Sequence, residues 1–296
     1  MNRMRIGLCA AWLLGVVACA PTPGPGEPTT TTTVGSTTTT TTTTIPSSGR
    51  TTVDRPDQSS LLQVKALYVV PSDGVDRQFD TNGRIATSVE SVQRWFQAQG
   101  GSRLRFDTFN GSLDIAFLRL ASTTAQIAAL ESPLPALRDA IAAAGFTDSK
   151  KSYVMFYEGQ QPGVCGSAYR PGRQAGIYLH TSGCDEIGMS LTSPRWMDYT
   201  VIHEIFHNLG ASPDCAPNKS TSGHVGDVAN DLMYSGPLPR PLPRVLDANR
   251  DDYWGHGRVD CVDVRRSTFL DPLPAGVTGP AVVSTTPGPE VQSAAP

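Results

Sequence analysis

The sequence has no hydrophobic run long enough to cross a membrane as a helix. Its one long apolar run, residues 6–18, is shorter than the roughly 20 residues that a spanning helix needs. An excess of positive charge is also lacking, because 24 Lys and Arg stand against 27 Asp and Glu, for a formal net charge of −3. These absences exclude an integral transmembrane protein, and without a basic stripe no nucleic-acid partner is expected.

The apolar run has the layout of a secretory signal. Two arginines precede it and supply a positive n-region, so residues 1–18 are predicted to be a signal peptide. The run ends in the letters VVAC at 16–19, which resemble a bacterial lipobox. That resemblance implies an acylated Cys19 and a lipoprotein anchored in the cell membrane, facing the extracellular or cell-wall side. The alternative is an ordinary signal peptide and a secreted protein.

Low-complexity composition limits the part of the chain that can fold. Residues 20–60 contain 16 Thr and 6 Pro, which leaves too few apolar side chains for a core. We therefore predict a disordered Thr/Pro-rich tether over 19–60 and a disordered tail over 273–296. The remaining residues, 61–272, suit a single folded domain.

Cysteine is sparse, with 6 in the chain, and no CxxC pair or close Cys/His cluster indicates a cysteine-ligated metal. One cysteine lies in the signal peptide and Cys19 is the lipid site, which leaves four. Disulfides persist in exported proteins, and four cysteines allow three pairings. We favour Cys165–Cys184, which closes a Gly-rich loop, and Cys215–Cys261, which ties the C-terminal part to the segment after the main helix.

The rest of the pattern predicts strands that alternate with helices. Apolar runs bounded by turn residues indicate strands at 64–70, 104–109, 113–120, 153–157 and 176–180. Helical spacing indicates helices at about 83–99 and 123–144, and Asn110-Gly111 is a hairpin signal. This order predicts an α/β (α+β) sandwich around a mixed, twisted sheet, with an irregular C-terminal subdomain.

One further helix is predicted from its end signals. Ser193 is expected to cap it, Pro194 to take its first position, and Gly210 to end it in the left-handed conformation. Its apolar stripe is predicted to be buried, and its other face to carry the chemistry.

That face reads His203-Glu204-x-x-His207. Two histidines four residues apart lie one turn apart on the same side of a helix, so both imidazoles can reach one zinc ion. Glu204 stands beside a ligand and can address a metal-bound water, which makes it the candidate general base for attack on a peptide carbonyl. The bland interpretation is a helix with two surface histidines and a solvated glutamate.

A family resemblance follows from these residues. His-Glu-x-x-His-x-x-Gly at 203–210 resembles the signature of the metzincin zinc peptidases, and DLMY at 231–234 resembles their Met-turn. The segment from 201 to about 270 also resembles exported actinobacterial proteins of this class. The resemblance implies a zincin-like fold, one zinc ion per chain, a third protein ligand after the glycine, and Met233 in the turn beneath the metal.

The third ligand departs from the family pattern, because Pro213 stands where the metzincins have a histidine. Two alternatives remain. Asp214 is the next residue, whereas His224 lies between glycines that let a loop approach the metal closely. We favour His224, with Asp227 or Asp231 bonded to its second ring nitrogen.

Asp247 begins a run of alternating oxygen ligands that is similar to the start of a calcium loop. Asp252 stands where such a loop has glycine, so the preferred interpretation is a hydrogen-bonded turn.

These observations predict an exported zinc-dependent metalloendopeptidase that acts on peptide or protein substrates as a monomer. Its expected residues are Glu204 as the base and His203, His207 and His224 as zinc ligands, with the membrane contacted only through the lipid anchor. The alternative is a non-catalytic cell-envelope module in which zinc is structural or absent. A closed structural site has no need of a base beside its ligand, which favours the enzyme.

Overall fold

The computed structural model describes residues 50–220, 223–235, 242–277 and 287–294. The predicted signal peptide, the lipidation at Cys19 and most of the predicted tether fall on residues 1–49, outside the described residues. Within the part of the chain that is described, no helix is both long and apolar enough to span a bilayer.

The described residues form four α-helices and ten strands. The strands are β1 (Gln63–Val70), β2 (Arg103–Leu104), β3 (Thr108–Phe109), β4 (Ser112–Leu113), β5 (Ile115–Arg119), β6 (Lys151–Tyr157), β7 (Val164–Tyr169), β8 (Gln174–Tyr178), β9 (Leu270–Asp271) and β10 (Glu290–Ala294). The helices are α1 (Arg84–Gly100), α2 (Thr124–Ala128), α3 (Pro133–Ala143) and α4 (Trp196–Asn208). A 3₁₀ turn, Val264–Arg266, precedes β9.

Six of the strands form one mixed sheet in the order β10-β7-β8-β6-β1-β5. The pairs β1–β5, β1–β6 and β6–β8 are parallel, whereas β7 runs antiparallel to β8, and β10 runs antiparallel to β7. The mixed α/β architecture predicted from the sequence is therefore present. The parallel strands β8, β6, β1 and β5 form one side of the sheet, and the antiparallel strands β7 and β10 form the other.

Hydrophobic clusters cover both faces of the sheet. Because side chains alternate along a strand, Tyr68 and Val70 of β1 join one cluster with α1 and α4, and Leu67 and Val69 join the other with α3. Phe206 of α4 meets the ring of Phe96 in α1 edge to face, with the ring centroids 5.4 Å apart. Helix α4 is thus fixed between the sheet and α1.

The start of α4 differs from the prediction. The helix begins at Trp196, and its first turn is closed by Asp198, whose carboxylate accepts a 2.9 Å bond from the Arg195 N–H. Ser193 does not cap the helix and Pro194 does not take its first position, because the N-cap residue is Arg195. The C-terminal end follows the prediction, because Gly210 takes a φ of 84°.

Parts of the two segments that are predicted to be disordered are ordered in the structure. Arg50 forms ion pairs with Asp76 at 2.6 Å and Asp80 at 2.7 Å, and the Phe117 N–H bonds to the Thr51 carbonyl at 2.7 Å. The folded part therefore starts by residue 50, and the tether prediction is wrong for 50–60. The tail prediction is wrong for residues 290–294, which form β10. The backbone groups at the edge of β7 need hydrogen-bond partners, and β10 supplies them.

The two disulfides are those that the sequence analysis favours. Cys165 of β7 is bonded to Cys184, and Cys215 is bonded to Cys261. The first bond fastens β7 to the loop that leads to α4. The second joins segments 46 residues apart in the chain.

Candidate metal centre

Three buried histidines converge in the structure. His203 and His207 project from the same side of α4, and His224 reaches them from the loop that follows the helix. The Nε2 atoms of His203 and His207 are 3.0 Å apart, and the Nε2 atom of His224 lies 3.2 Å from the first and 3.3 Å from the second. The three residues expose 6%, 0% and 2% of their surface. Each therefore presents the same ring nitrogen to one small volume.

The ring orientation leaves these nitrogens available as ligands. The Nδ1 atom of His203 lies 2.7 Å from the Leu232 carbonyl, and a carbonyl can only accept, so the ring proton sits on Nδ1. Nε2 then carries the lone pair. Burial and the neighbouring imidazoles lower the pKa of His207 well below its usual value. A neutral imidazole is the form that binds a metal.

The turn that contains Met233 holds two of the histidines. Its Leu232 carbonyl orients His203, and its Met233 carbonyl accepts a 3.0 Å bond from the N–H of Val225, the residue after His224. Asp231 closes this turn by accepting a 2.7 Å bond from the Met233 N–H. The backbone of this turn thus positions His203 directly and His224 through the adjacent Val225.

Asp227 or Asp231 was expected to bond to the second ring nitrogen of His224, but the structure shows their carboxylates bonded to other groups. The carboxylate of Asp231 accepts bonds from the backbone N–H groups of Met233 and Ala248 and from the Tyr253 hydroxyl. Asp227 accepts a bond from the Asn249 side chain. Both carboxylates are used within the turns around them rather than on His224.

The alternative third ligand lies outside the cluster. The side chain of Asp214 is 79% exposed, and it pairs with Lys219 at 2.6 Å and with Arg170 at 3.3 Å. Those two cations lower the pKa of its carboxyl. The structure therefore brings His224, and not Asp214, to His203 and His207.

Asp247 forms the hydrogen-bonded turn that the sequence analysis preferred. Its carboxylate accepts bonds from the backbone N–H groups of Tyr253 at 2.8 Å and Trp254 at 2.6 Å. These oxygens face their own loop, as in an Asx-type turn.

Glu204 follows His203 in α4 and is completely buried. Burial raises the pKa of its carboxyl well above the ordinary value, and the approaching Ser293 side chain offsets part of that rise. Neither carboxylate oxygen has a hydrogen bond of good geometry among the described residues. A buried carboxyl of this kind is costly to the fold, and such groups concentrate at functional sites.

Gly166 and Ser293 complete the site, and the sequence analysis identified neither. A Cβ atom on Gly166 would lie 2.8 Å from both Cγ and Oε1 of Glu204, so β7 passes directly against the carboxylate. A glycine inside a strand can signal such a close approach. Ser293 gives no comparable signal, because its position depends on the pairing of β10 with β7.

The donor set fits a metal ion. Ligand nitrogens ~2.0–2.1 Å from a tetrahedral zinc are about 3.3 Å from one another, close to the 3.0–3.3 Å between the three Nε2 atoms. No proton lies on the converging side of His203, and no described carboxylate stands among the three rings. His203, His207 and His224 can therefore hold one metal ion.

Comparison with known proteins adds little. No family model and no curated protein matches the chain. The crystal structure of archaemetzincin from Methanopyrus kandleri is similar over 58% of this chain and 81% of its own, with a TM-score of 0.34 and 17% identity. The structure of a chaperone–substrate complex is similar over 69% of this chain and 33% of its own, with a TM-score of 0.35 and 16% identity. At these TM-scores neither likeness carries an argument about this chain.

Proposed function

We propose that the protein is a zinc-dependent metalloendopeptidase with a zincin-like fold and one zinc ion per chain. The observation that carries this proposal is the convergence of three buried imidazole nitrogens, with the buried Glu204 next to His203 in the helix that supplies two of them. His203, His207 and His224 are the proposed ligands, and Glu204 is the proposed base.

The residues divide the chemistry between them. Zinc bound to the histidines would supply a Lewis acid that lowers the pKa of a water molecule and polarises a carbonyl. The raised pKa of Glu204 suits a group that takes a proton from the attacking water and returns it to the leaving amine near neutral pH. Leu232 keeps the His203 ring oriented through its carbonyl.

A structural zinc site is the competing proposal. Structural zinc ions are held by four protein ligands, whereas three histidines converge in the described part of the chain. The buried carboxyl of Glu204 also adds nothing to a structural site and costs the fold free energy. Both observations favour the enzyme over a non-catalytic module.

We also propose that the protein works outside the cytoplasm. The two disulfides fit an oxidising compartment. Acylation of Cys19 would anchor the domain to the membrane through the tether, and intact mass of the membrane-extracted chain tests that anchor. A lipid adduct on a chain that starts at Cys19 supports it, and a soluble chain that starts elsewhere contradicts it.

The catalytic proposal is tested with unfolded casein and the zinc-loaded chain. Because β10 lies over the site, the complete chain is assayed together with a chain that ends at Thr286. Glu204→Gln should lower turnover by about a hundredfold or more while zinc content stays at that of the wild type. Equal turnover by both would remove Glu204 from the mechanism, and absence of turnover in every form would favour the non-catalytic module.

A further inference from the structure

Strand β10 binds the edge of the sheet that lies against the candidate site. It pairs antiparallel with β7, with Ser293 opposite Gly166 and Val291 opposite Ala168. The Arg170 N–H continues the ladder with a 2.9 Å bond to the Pro289 carbonyl. Strand β7, the strand that touches Glu204, is therefore paired on both sides.

The alternation of side chains turns one face of β10 toward the site. Val291 and Ser293 are 4% and 6% exposed, and Gln292 between them is exposed. Ser293 approaches the Glu204 carboxyl. From the opposite face, Glu290 accepts a 2.6 Å bond from the Ser132 hydroxyl at the start of α3, which fastens the strand.

With β10 in place, no peptide can reach the base. Glu204 and His207 are completely buried. The cleft beside His203, which Tyr234 and Ser293 also line, has a volume of about 10 Å³, room for one water molecule at most. An extended peptide needs a sheet edge and the space above Glu204, and β10 occupies both.

We propose that Glu290–Ala294 is an intramolecular, substrate-like strand that keeps the site closed, and that peptides compete with it for the edge of β7. This inference rests on the proposed peptidase function. Strand addition to a sheet edge gives affinity through main-chain bonds and selects side chains through the facing pockets. The position over Glu204 is held by serine, so the competing peptide carries a small residue there.

Strand β10 belongs to the same chain as the site, and this determines how strongly it competes with a free peptide for the edge of β7. A tethered segment acts at an effective concentration on the order of 1 mM. If the free segment binds at about 0.1 mM, its presence weakens a competing peptide about tenfold. Removal of the strand should therefore raise kcat/KM about tenfold or more, mainly through KM.

Binding tests the proposal without relying on catalysis. A fluorescent peptide with the sequence of residues 287–296 is titrated into zinc-loaded Glu204→Gln protein, both complete and ending at Thr286, with anisotropy as the readout. The shortened chain should bind it at least about tenfold more tightly than the complete chain. Absence of binding to the folded, shortened chain, or equal binding to both, would overturn the proposal.

Two matched variants test the strand within the complete chain. Ser293→Trp places a ring where about 10 Å³ is free, whereas Gln292→Trp places the same ring on the exposed face. Ser293→Trp should release bound zinc to a chelator faster, and Gln292→Trp should match the wild type. Identical rates for all three proteins would contradict the proposal.

Different results would refute the blocking strand and the proposed peptidase function. A shortened chain that binds the peptide but hydrolyses no substrate would refute the peptidase and leave the blocking strand. Equal kcat/KM for casein in the complete and shortened chains would refute the blocking strand and leave the peptidase.

Discussion

Gly166 is the residue whose size allows Glu204 to stand where it does. An added methyl group would lie 2.8 Å from Cγ and Oε1 of Glu204 and 2.8 Å from Cγ2 of Thr200. Gly166→Ala should therefore displace the carboxylate and lower kcat by about tenfold to a hundredfold, because small misplacements of a reacting group are costly. Zinc content should not change, since the histidines are untouched.

The matched control for Gly166 is its neighbour Ser167, whose side chain points to the other face of β7 and bonds to the Tyr178 hydroxyl at 2.5 Å. Ser167→Ala should keep its kcat. Both variants are assayed with casein in the chain that ends at Thr286. Full activity in Gly166→Ala would show that Glu204 does not act from the observed position.

Asp231 gives the protein a pH-dependent stability. Burial raises the pKa of its carboxyl to about 7 despite three hydrogen bonds. Between about pH 4, where the unfolded carboxyl ionises, and pH 7, the folded state keeps a proton that the unfolded state has lost. The free energy of unfolding should therefore fall, as the pH rises through this window, by on the order of a few kcal/mol.

Urea unfolding at pH 5 and pH 8 measures this effect. Asp231→Asn cannot ionise, so the fall in unfolding free energy should be smaller in the variant than in the wild type. Equal falls in the two proteins would show that Asp231 is already ionised at pH 5.

Much of the site could be predicted at the residue scale because it is local. His203, Glu204 and His207 lie within one turn and a half of a helix, where spacing alone fixes their relation. His224 is 17 residues beyond His207, so no helical spacing points to it, and its flanking glycines are one of the signals that favour it over Asp214. Ser293 was out of reach, since its position depends on a pairing between segments far apart in the chain.

At the scale of elements, α4 depends on a buried carboxylate at its first turn. Asp198 accepts bonds from the N–H groups of Arg195 at 2.9 Å and Gly188 at 2.8 Å and from the Ser88 hydroxyl at 2.6 Å. Asp198→Ala leaves these donors buried without a partner, so it should lower the free energy of unfolding by about 2–4 kcal/mol.

Asp139 is the control for that prediction, because its side chain is 70% exposed and pairs with the adjacent Arg138. Asp139→Ala should change the free energy of unfolding by less than about 0.5 kcal/mol. Urea unfolding with the disulfides intact compares the two variants. Equal midpoints would contradict the assignment of Asp198 as the main support of the helix start.

The strands that escaped prediction share a physical reason. Strand β7 contains a cysteine, a glycine, a serine and an alanine, and β10 contains glutamate, glutamine and serine, so neither shows the apolar run of β1. Their stability comes from pairing with each other and with β8, which local sequence does not encode. The Asn110-Gly111 hairpin could be predicted because its signal lies within four residues.

At the scale of the whole molecule, the sheet order explains why the site is closed. The parallel strands form one side of the sheet, and the antiparallel strands β7 and β10 on the other side bring Ser293 close to the helix that carries the histidines. The predicted α/β class followed from the alternation of elements along the chain. The strand β10 could not be predicted in the same way, because the composition of the tail indicates only that the tail cannot form a core of its own.

The central claim, a metal ion held by His203, His207 and His224, is tested most directly by zinc K-edge X-ray absorption on the zinc-loaded complete chain. We predict one zinc ion per chain with three imidazole ligands at ~2.0–2.1 Å. His224→Ala should leave two imidazoles, and Asp214→Ala should leave three. A spectrum that keeps three imidazoles in His224→Ala, or a wild-type chain that binds no zinc, would contradict the account.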